Sequence, residues 1–195
     1  MARVGVAENA NTAVLVTLSS KGEFLDRRTI ALTKDLPTHP YHHEGAWAVG
    51  RYLNTPGARM MSLSEAIRLV EKVTRAAEEG ARKNLQSLDE DIAEPIKSIA
   101  LRVIPPLPKT IEARIKDNRA QTTADSAMYR QALATAAKEL GWAVRWYDKD
   151  KLLEQTQPKL SAIGKKAGSP WQARHKLAAS AALAVRPGKA NTADD

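Results

Sequence analysis

The sequence predicts an α/β fold in which three antiparallel strands come first and helices and strands then alternate. Three short runs rich in apolar and β-branched residues lie within the first 32 residues. A long stretch with apolar residues at helical spacing follows them, and two more strand-like runs are separated by helical segments. This order of elements is typical of a mixed sheet with helices packed on it.

The three leading strands are predicted at 3–7, 12–18 and 23–32. The middle run, TAVLVTL, is rich in β-branched residues, and the Ser-Ser-Lys-Gly sequence after it favours a turn. Asn9 and Asn11 favour another turn before it, because Asn tolerates positive φ and bonds its own backbone. Short antiparallel connections are therefore expected between these strands.

The segment 34–61 predicts a long connection without a regular element. Prolines and glycines interrupt it throughout, at Pro37, Pro40, Gly45, Gly50, Pro56 and Gly57. Ser62 and Glu65 then form the pattern of a capping box. From Leu63 to Leu88 apolar residues recur at helical spacing, so a long amphipathic helix is expected there.

A buried strand is predicted at 96–104. Pro105 and Pro106 stop it, because proline cannot donate to the ladder of a sheet. The segment 107–123 that follows predicts a loop with one short helical turn.

A second helix is expected to begin at Asp125 or Ser126, either of which can cap it, and to end at Gly141. The strand 142–147 follows at once. The last helix is expected to start within the Gly-Ser-Pro sequence of 168–170, since proline fits the first helical position. Its many alanines predict close packing against a flat neighbour.

The length of 195 residues predicts a single domain over 1–186, with an inserted loop at 34–61 and a flexible tail at 187–195. The sequence contains no cysteine, which excludes disulfides, thiolate zinc sites and thiol catalysis. Its apolar runs are far shorter than the roughly 20 residues that a membrane helix needs. A soluble, cytoplasmic protein is therefore expected.

The charge of the chain favours a polyanionic partner. The formal net charge is +8, and no Asp or Glu lies between Gln155 and Ala193. Phosphate contacts supply most of the nonspecific affinity for nucleic acid. The candidate binding residues flank the Gly-Ser-Pro helix start, where free backbone N–H groups favour phosphate; they are Lys165, Lys166, Arg174 and Lys176. A merely solvated basic face is the alternative.

Three of the four histidines lie in the sequence THPYHHEG. His39, His42 and His43, with Glu44 beside them, are a ligand set that suits zinc. Two other interpretations stay open. The loop is either a polar cover whose histidines bond backbone or phosphate, or a lid whose histidines act as general acid or base near Glu8.

Two segments resemble the RuvC-like Holliday-junction resolvases of the RNase H-like superfamily. The stretch ADSAMYRQALATAAKELGWAVRWYDKDKL at 124–152 is similar to a helix and the last strand of that family. GKKAGSPWQARHKLAASAALAV at 164–185 is similar to its lysine-bearing loop and alanine-rich final helix. The order of elements is that of the RNase H-like fold as well. The resemblance implies DNA or RNA as a partner, a homodimer, and phosphodiester hydrolysis with two Mg²⁺ or Mn²⁺ ions.

The resemblance also implies acids at the end of the first strand, on the fourth strand and on the final helix. Glu8 stands near the first place and His175 on the final helix, so these two are the implied catalytic residues and metal ligands. The fourth strand carries Leu101 and Arg102 where the resemblance implies an acid. Because Mg²⁺ prefers several oxygen ligands, Glu8 and His175 alone would hold this ion poorly. Three functions therefore stay open. The first is a nucleic-acid-binding, metal-dependent nuclease, and the second is a non-catalytic interaction or scaffold protein with the same fold. The third is a small-molecule or metal-dependent hydrolase built around the loop from His39 to Glu44.

Overall fold

The computed structural model describes residues 1–184, except for the side chains of 153–158. The expected tail at 187–195 lies outside the described residues. Within them, the strands are β1 (Ala2–Asn9), β2 (Thr12–Leu18), β3 (Phe24–Ala31), β4 (Ile96–Arg102) and β5 (Ala143–Tyr147). The α-helices of this part are α1 (Ala46–Ala48), α2 (Leu63–Asp91), α3 (Ile111–Lys116), α4 (Asn118–Glu139), α5 (Lys149–Ala167) and α6 (Ala173–Ala184). None of these helices is both long and apolar enough to span a membrane.

The strands form one mixed sheet in the order β3-β2-β1-β4-β5. The neighbours β1 and β2, and β2 and β3, are antiparallel, whereas β1 and β4, and β4 and β5, are parallel. This topology confirms the predicted fold class, with three leading antiparallel strands followed by alternating helices and strands. Because parallel strands end at the same edge of a sheet, the carboxyl ends of β1, β4 and β5 lie together.

Helices cover both faces of the sheet. The face covered by α2 and α4 carries the larger core, to which β1 contributes Val4 and Val6. The face covered by α5 and α6 carries a smaller core, which contains Ala7 and Ala178. Side chains therefore alternate along β1 between the two faces, as the period of a strand requires.

Gly5 lets α6 approach β1 closely. A Cβ atom built on Gly5 would lie 1.9 Å from the carbonyl oxygen of Ala178 and 2.4 Å from the backbone nitrogen of Ala182. Only a residue without a side chain fits this contact. The alanine-rich final helix thus packs flat on the sheet, as its composition predicts.

The helix predicted to begin at 125–126 starts earlier in the structure. Asp117 caps α4, because its carboxylate accepts hydrogen bonds from the backbone N–H groups of Arg119 and Ala120. Asp125 lies inside the helix and is buried. Its carboxylate accepts hydrogen bonds from the distant backbone of Tyr41 and His42 instead of capping the helix. The short helical turn that the sequence predicts within 107–123 is α3.

The last part of the chain also differs from the prediction. The final helix begins at Ala173 rather than at 168–170, because the carbonyl oxygens of 168–170 accept hydrogen bonds from Arg27 and hold this segment in a turn. Before it, α5 occupies residues for which the sequence predicted no long helix. The carboxylate of Asp148 caps α5 by accepting from the backbone N–H of Asp150.

Candidate functional site

Glu8 lies at the carboxyl end of β1 in a buried ion cluster. Its carboxylate oxygen Oε1 is 2.7 Å from Nε of Arg130 and 2.9 Å from Nη2 of Arg102. Arg130 also donates from Nη1 to the backbone carbonyl of Val103 at 2.9 Å. The side chains of Glu8 and Arg130 are each only 3% exposed, whereas Arg102 is 35% exposed. Burial lowers the pKa of Arg130, and the charge of Glu8 opposes that effect; a guanidinium still keeps its proton.

The cluster lies beyond the last paired residues of β1 and β4. The parallel pairing of these strands ends at Gly5 and Ala100. Beyond that point the hydroxyl of Tyr147 donates to the carbonyl oxygen of Val6 at 2.7 Å. Burial is the main cause that raises the pKa of Tyr147, so this hydroxyl remains a donor near neutral pH.

Glu8 and His175 belong to opposite faces of the sheet. By the alternation along β1, Glu8 lies on the face of the sheet that α4 covers, and its partner Arg130 is on that helix. His175 is on α6, which packs on the opposite face. The residue at the end of β1 that faces α6 is Ala7. The predicted acid is therefore one residue out of register for a site shared with the final helix.

His175 has a local structural role at the start of α6. Its Nδ1 atom accepts a hydrogen bond from the backbone N–H of Gln172 at 3.0 Å, and its ring stacks on Trp171 with centroids 6.0 Å apart. Burial, followed by the charges of Arg27 and Arg174, lowers its pKa. The ring is thus neutral near pH 7 and satisfies one of the free N–H groups at a helix start.

The residues present do not fit the metal centre that the resemblance implies. Across the described part of the chain, no group of three His, Asp or Glu side chains could hold a metal ion. The Oε1 atom of Glu8 already accepts a hydrogen bond from Arg130 and forms an ion pair with Arg102, and β4 offers Arg102 instead of an acid. Mg²⁺ and Mn²⁺ need several oxygen ligands. The following predicted ligands do not form such a group: Glu8, His39, His42, His43, Glu44 and His175.

A polar cleft of about 410 Å³ opens next to the cluster, at the carboxyl ends of β4 and β5. Arg102, Arg130 and Lys149 contribute cationic groups to its wall. The remaining lining residues are Val103, Pro105, Thr122, Thr123, Ser126, Asp148 and Asp150. Asp148 and Asp150 offset part of the positive charge of this wall, and Asp148 itself lies 3.6 Å from Nζ of Lys151. The guanidinium and hydroxyl donors of the cleft suit an anionic ligand such as a phosphate group.

The histidine loop contains a turn of π-helix at Tyr41–Gly45, followed by α1, where the sequence predicts no regular element. Asp125 holds this turn, because its carboxylate accepts hydrogen bonds from the backbone N–H groups of Tyr41 at 2.9 Å and His42 at 3.0 Å. Burial raises the pKa of Asp125 to about 7, although the two hydrogen bonds act in the opposite direction. The side chain of His39 lies 3.9 Å from the same carboxylate.

The imidazole rings of the loop lie next to one another. The ring centroid of His43 is 5.3 Å from that of His39 and 5.4 Å from that of His42. The Nδ1 atom of His42 is 3.3 Å from the hydroxyl of Thr122, which lines the polar cleft. Burial lowers the pKa of His39 and of His42, so these rings are neutral near pH 7. Within the described residues, the buried Oε2 atom of Glu44 has no hydrogen-bond partner.

The basic candidates lie on either side of one turn. Lys165 and Lys166 end α5, Arg174 and Lys176 are in the first turn of α6, and all four are exposed. Carbonyl oxygens of the Gly-Ser-Pro turn between the helices accept from Arg27, so this segment does not present a helix N-terminus. The side chains, rather than backbone N–H groups, supply the positive charge here.

Sequence reasoning missed the roles of Arg130 and Asp125. Both lie within the buried stripe of α4, whose other members include Ala127, Leu133 and Ala134. A charged residue at an apolar helix position is rarely buried without a partner. This pattern is the signal that predicts a buried ion pair for Arg130 and a buried hydrogen-bonded carboxylate for Asp125.

No protein-family model matches the sequence, and no curated protein matches it. Among solved structures, the chain is similar to RuvC of Thermus thermophilus in complex with a Holliday-junction substrate. The two chains are 13% identical, with a TM-score of 0.50 over 94% of this chain and 90% of that one. Another structure of Thermus thermophilus RuvC is 11% identical, with a TM-score of 0.48 over 94% of this chain and 92% of that one. The first likeness and the sheet topology identify the fold as RNase H-like, of the RuvC type.

Proposed function

We propose that this protein binds nucleic acid and does not cut it. The observation that carries the proposal is the Glu8–Arg102–Arg130 cluster at the end of β1, near the place where a nuclease of this fold would carry acids. The cluster consists of two guanidinium groups and one carboxylate, so its net charge is positive by one unit. A positive cluster attracts the phosphate backbone without metal ions, and it supplies no ligands that would activate water.

The exposed part of the cluster supports phosphate binding. Arg102 is partly exposed and lines the polar cleft together with Lys149. The guanidinium of Arg102 gives one contact to Glu8 and has further N–H donors, which match the geometry of phosphate oxygens. The hydroxyls of Thr122 and Thr123 lie in the same wall. Phosphate contacts of this kind fix the position of a strand but do not read its sequence.

The basic turn between α5 and α6 supports the same proposal. Its four exposed cations are Lys165, Lys166, Arg174 and Lys176. Across the described residues no ion pair joins any of them to an acid, so their charge acts outward. Exposed cations of this kind supply the salt-dependent affinity of nucleic-acid-binding proteins.

The binding test compares two variants of equal net charge. Lys165, Lys166 and Arg174 are replaced by Ala in one variant, and the exposed Arg68, Lys72 and Arg75 of α2 in the control. Fluorescence anisotropy with labelled DNA junctions, DNA duplexes and RNA duplexes gives the affinities over a range of salt concentrations. The first variant is expected to bind all probes more weakly, and the slope of log K against log salt to fall by about 0.9 for each phosphate that the variant no longer neutralises. The proposal fails if wild-type affinity is independent of salt, or if both variants bind like the wild type.

The cleavage test uses the same labelled probes with Mg²⁺ or Mn²⁺. We expect no product, because a single acid that is bound by two arginines cannot hold two ions. Metal-dependent cutting that disappears in Glu8→Ala would overturn this part of the proposal and favour a nuclease. An uncut probe without any binding would instead favour a scaffold protein with a partner other than nucleic acid.

A further inference from the structure

A cavity of about 350 Å³ lies in the histidine loop, separate from the ion cluster. Aromatic rings supply most of its wall. The residues that line it are His42, His43, Trp47, Tyr52, Thr55 and Pro56. Its volume is in the range of pockets for small ligands. Tyr52 is 45% exposed, so the cavity is accessible from solvent.

Two of the rings are nearly parallel. The planes of His43 and Trp47 differ by only 14°, and their centroids are 6.4 Å apart. The rings of His42 and Tyr52 are tilted by 56° to one another, with centroids 5.7 Å apart. Burial lowers the pKa of His42, and a neutral imidazole stacks on a flat ring without the cost of burying a charge. The cavity therefore suits a flat, aromatic and uncharged ligand.

The backbone of Tyr52 adopts a strained conformation. Its φ angle is +56°, in the left-handed region that residues other than Gly, Asn and Asp rarely adopt. The turn that follows fixes this conformation, because the hydroxyl of Thr55 donates to the carbonyl oxygen of Tyr52 at 2.7 Å. An exposed aromatic ring that contributes little to the core is thus held against the cavity by a strained backbone.

Other contacts fix the remaining walls. Asp125 binds the backbone at His42, and the imidazole of His42 contacts Thr122. The guanidinium of Arg51 donates to the side-chain oxygen of Asn118 at 3.4 Å and also to the carbonyl oxygen of Lys116. The cavity is therefore formed before any ligand arrives, which reduces the entropy lost on binding.

The cavity adjoins the polar cleft. Thr122 lines the cleft, while its hydroxyl contacts His42, which lines the cavity. Cationic, hydroxyl and carboxylate groups line the cleft on one side of this contact, and aromatic rings line the cavity on the other. A nucleotide has the same two parts, a phosphate and a flat base.

We propose that the aromatic cavity binds an unpaired nucleobase by stacking, while the adjoining phosphate of the same strand lies in the polar cleft. This inference rests on the proposed function. A paired base inside a duplex stacks on its neighbours and cannot offer its faces to protein rings. The cavity therefore gives the protein a preference for single-stranded or unpaired positions, with little discrimination between bases.

The test compares a fluorescein-labelled DNA single strand of about 12 nucleotides with a duplex of the same length. Tyr52→Asn removes the ring and keeps a residue that tolerates positive φ. Met60→Asn is the control, because Met60 is exposed in the same connection but does not line the cavity. Tyr52→Asn is expected to weaken single-strand binding about tenfold, and to leave duplex binding within about twofold. Equal melting temperatures of the variants show that the fold is intact.

Tryptophan fluorescence gives a second measurement that does not depend on Tyr52. The single strand is expected to quench part of the wild-type emission, and this part is expected to disappear in Trp47→Phe. If Tyr52→Asn and Trp47→Phe bind the single strand like the wild type, the inference is wrong while salt-dependent duplex binding still supports the proposed function. If the wild type binds duplex but no single strand, the inference is wrong as well. If it binds neither, both proposals fail.

Discussion

At Glu8 a buried carboxylate oxygen is shared by two guanidinium groups, one buried and one partly exposed. Taking such charges out of water is costly, and their attraction offsets the cost only while every member is present. The cluster is thus a single unit. Its contribution to stability has to be measured by comparing single and double substitutions.

We expect that the energetic effects of removing members of the cluster are not additive. Arg130→Met leaves Glu8 with only the partly exposed Arg102, and Glu8→Gln leaves Arg130 without a counter-charge. Each is expected to lower the free energy of unfolding by about 3 kcal/mol. The double variant leaves neither charge buried, so it should be destabilised clearly less than the sum of the two single variants. Urea unfolding of the four proteins measures this difference, and simple additivity would contradict a coupled pair.

Asp125 predicts an unusual dependence of stability on pH. Its pKa is raised from 3.8 to about 7 in the folded protein, so the folded state holds a proton that the unfolded state has released in this range. The contribution of Asp125 is therefore complete below about pH 4 and disappears as the pH rises through about 7, with a size on the order of 4 kcal/mol. The lowered pKa values of His39 and His42 act in the opposite direction, because these rings lose stability as the pH falls below their ordinary value of 6.5.

The variant Asp125→Asn isolates the pH-dependent part of this contribution. Asn has nearly the same shape and does not ionise, while His39, His42 and the nearby Glu44 remain. Its amide nitrogen cannot accept one of the two backbone hydrogen bonds that the carboxylate accepts, which is a loss that does not vary with pH. The wild type is expected to lose stability relative to Asp125→Asn between pH 4 and about pH 8. Denaturant unfolding at several pH values measures the difference between the two proteins. A difference that does not change with pH would show that Asp125 stays ionised throughout.

At the scale of elements, the contact between β1 and α6 depends on one missing side chain. Gly5→Ala would place a Cβ atom 1.9 Å from the carbonyl oxygen of Ala178, so the helix has to move away from the sheet. Overpacking of this kind costs about 1–3 kcal/mol or more. We expect a clear loss of stability in urea unfolding, together with weaker binding of nucleic acid, because the basic turn precedes α6. An unchanged stability would mean that α6 does not pack on Gly5.

The elements show which features are predictable from sequence. The capping box of α2 is present as predicted, with Ser62 accepting from the backbone N–H of Glu65 and the Glu65 carboxylate accepting from that of Ser62. Such signals are local. The assignment of Asp125 as a helix cap was wrong, because a carboxylate that caps its own helix and one that binds a distant loop have the same local sequence pattern.

The alternation of side chains along β1 decides which face of the sheet carries Glu8. The sequence predicts Glu8 near the end of the strand, as the structure has it, but it does not show which helix covers the face on which Glu8 lies. Counting from Val4 and Val6 assigns Glu8 to the face of α4, and Ala7 to that of α6. The partner Arg130 is 122 residues away, and no spacing rule connects residues so far apart.

At the scale of the whole molecule, cationic side chains gather at two places that different elements build. One is the turn between α5 and α6. The other is the cluster and cleft at the carboxyl ends of β1, β4 and β5, where Glu8, Asp148 and Asp150 offset the charges of Arg102, Arg130 and Lys149. A single phosphate occupies only one of them, whereas an extended strand can contact both. The net charge of +8 therefore acts through a distribution that favours a long polyanion over a small one.

The melting temperature of the protein is expected not to depend on Mg²⁺. An ion that binds only the folded state with a Kd of about 0.1 mM would add about 2.7 kcal/mol at about 10 mM, which raises the melting temperature of a chain of this size by roughly 5–10 °C. Because the described residues contain no group of three metal-binding side chains, we expect no rise beyond that produced by KCl of equal ionic strength. Differential scanning calorimetry measures this directly. A Mg²⁺-specific rise that is absent in Glu8→Gln would mean that the carboxylate leaves its arginines to bind the ion, and the cluster would then be a regulated metal site rather than a replacement for one.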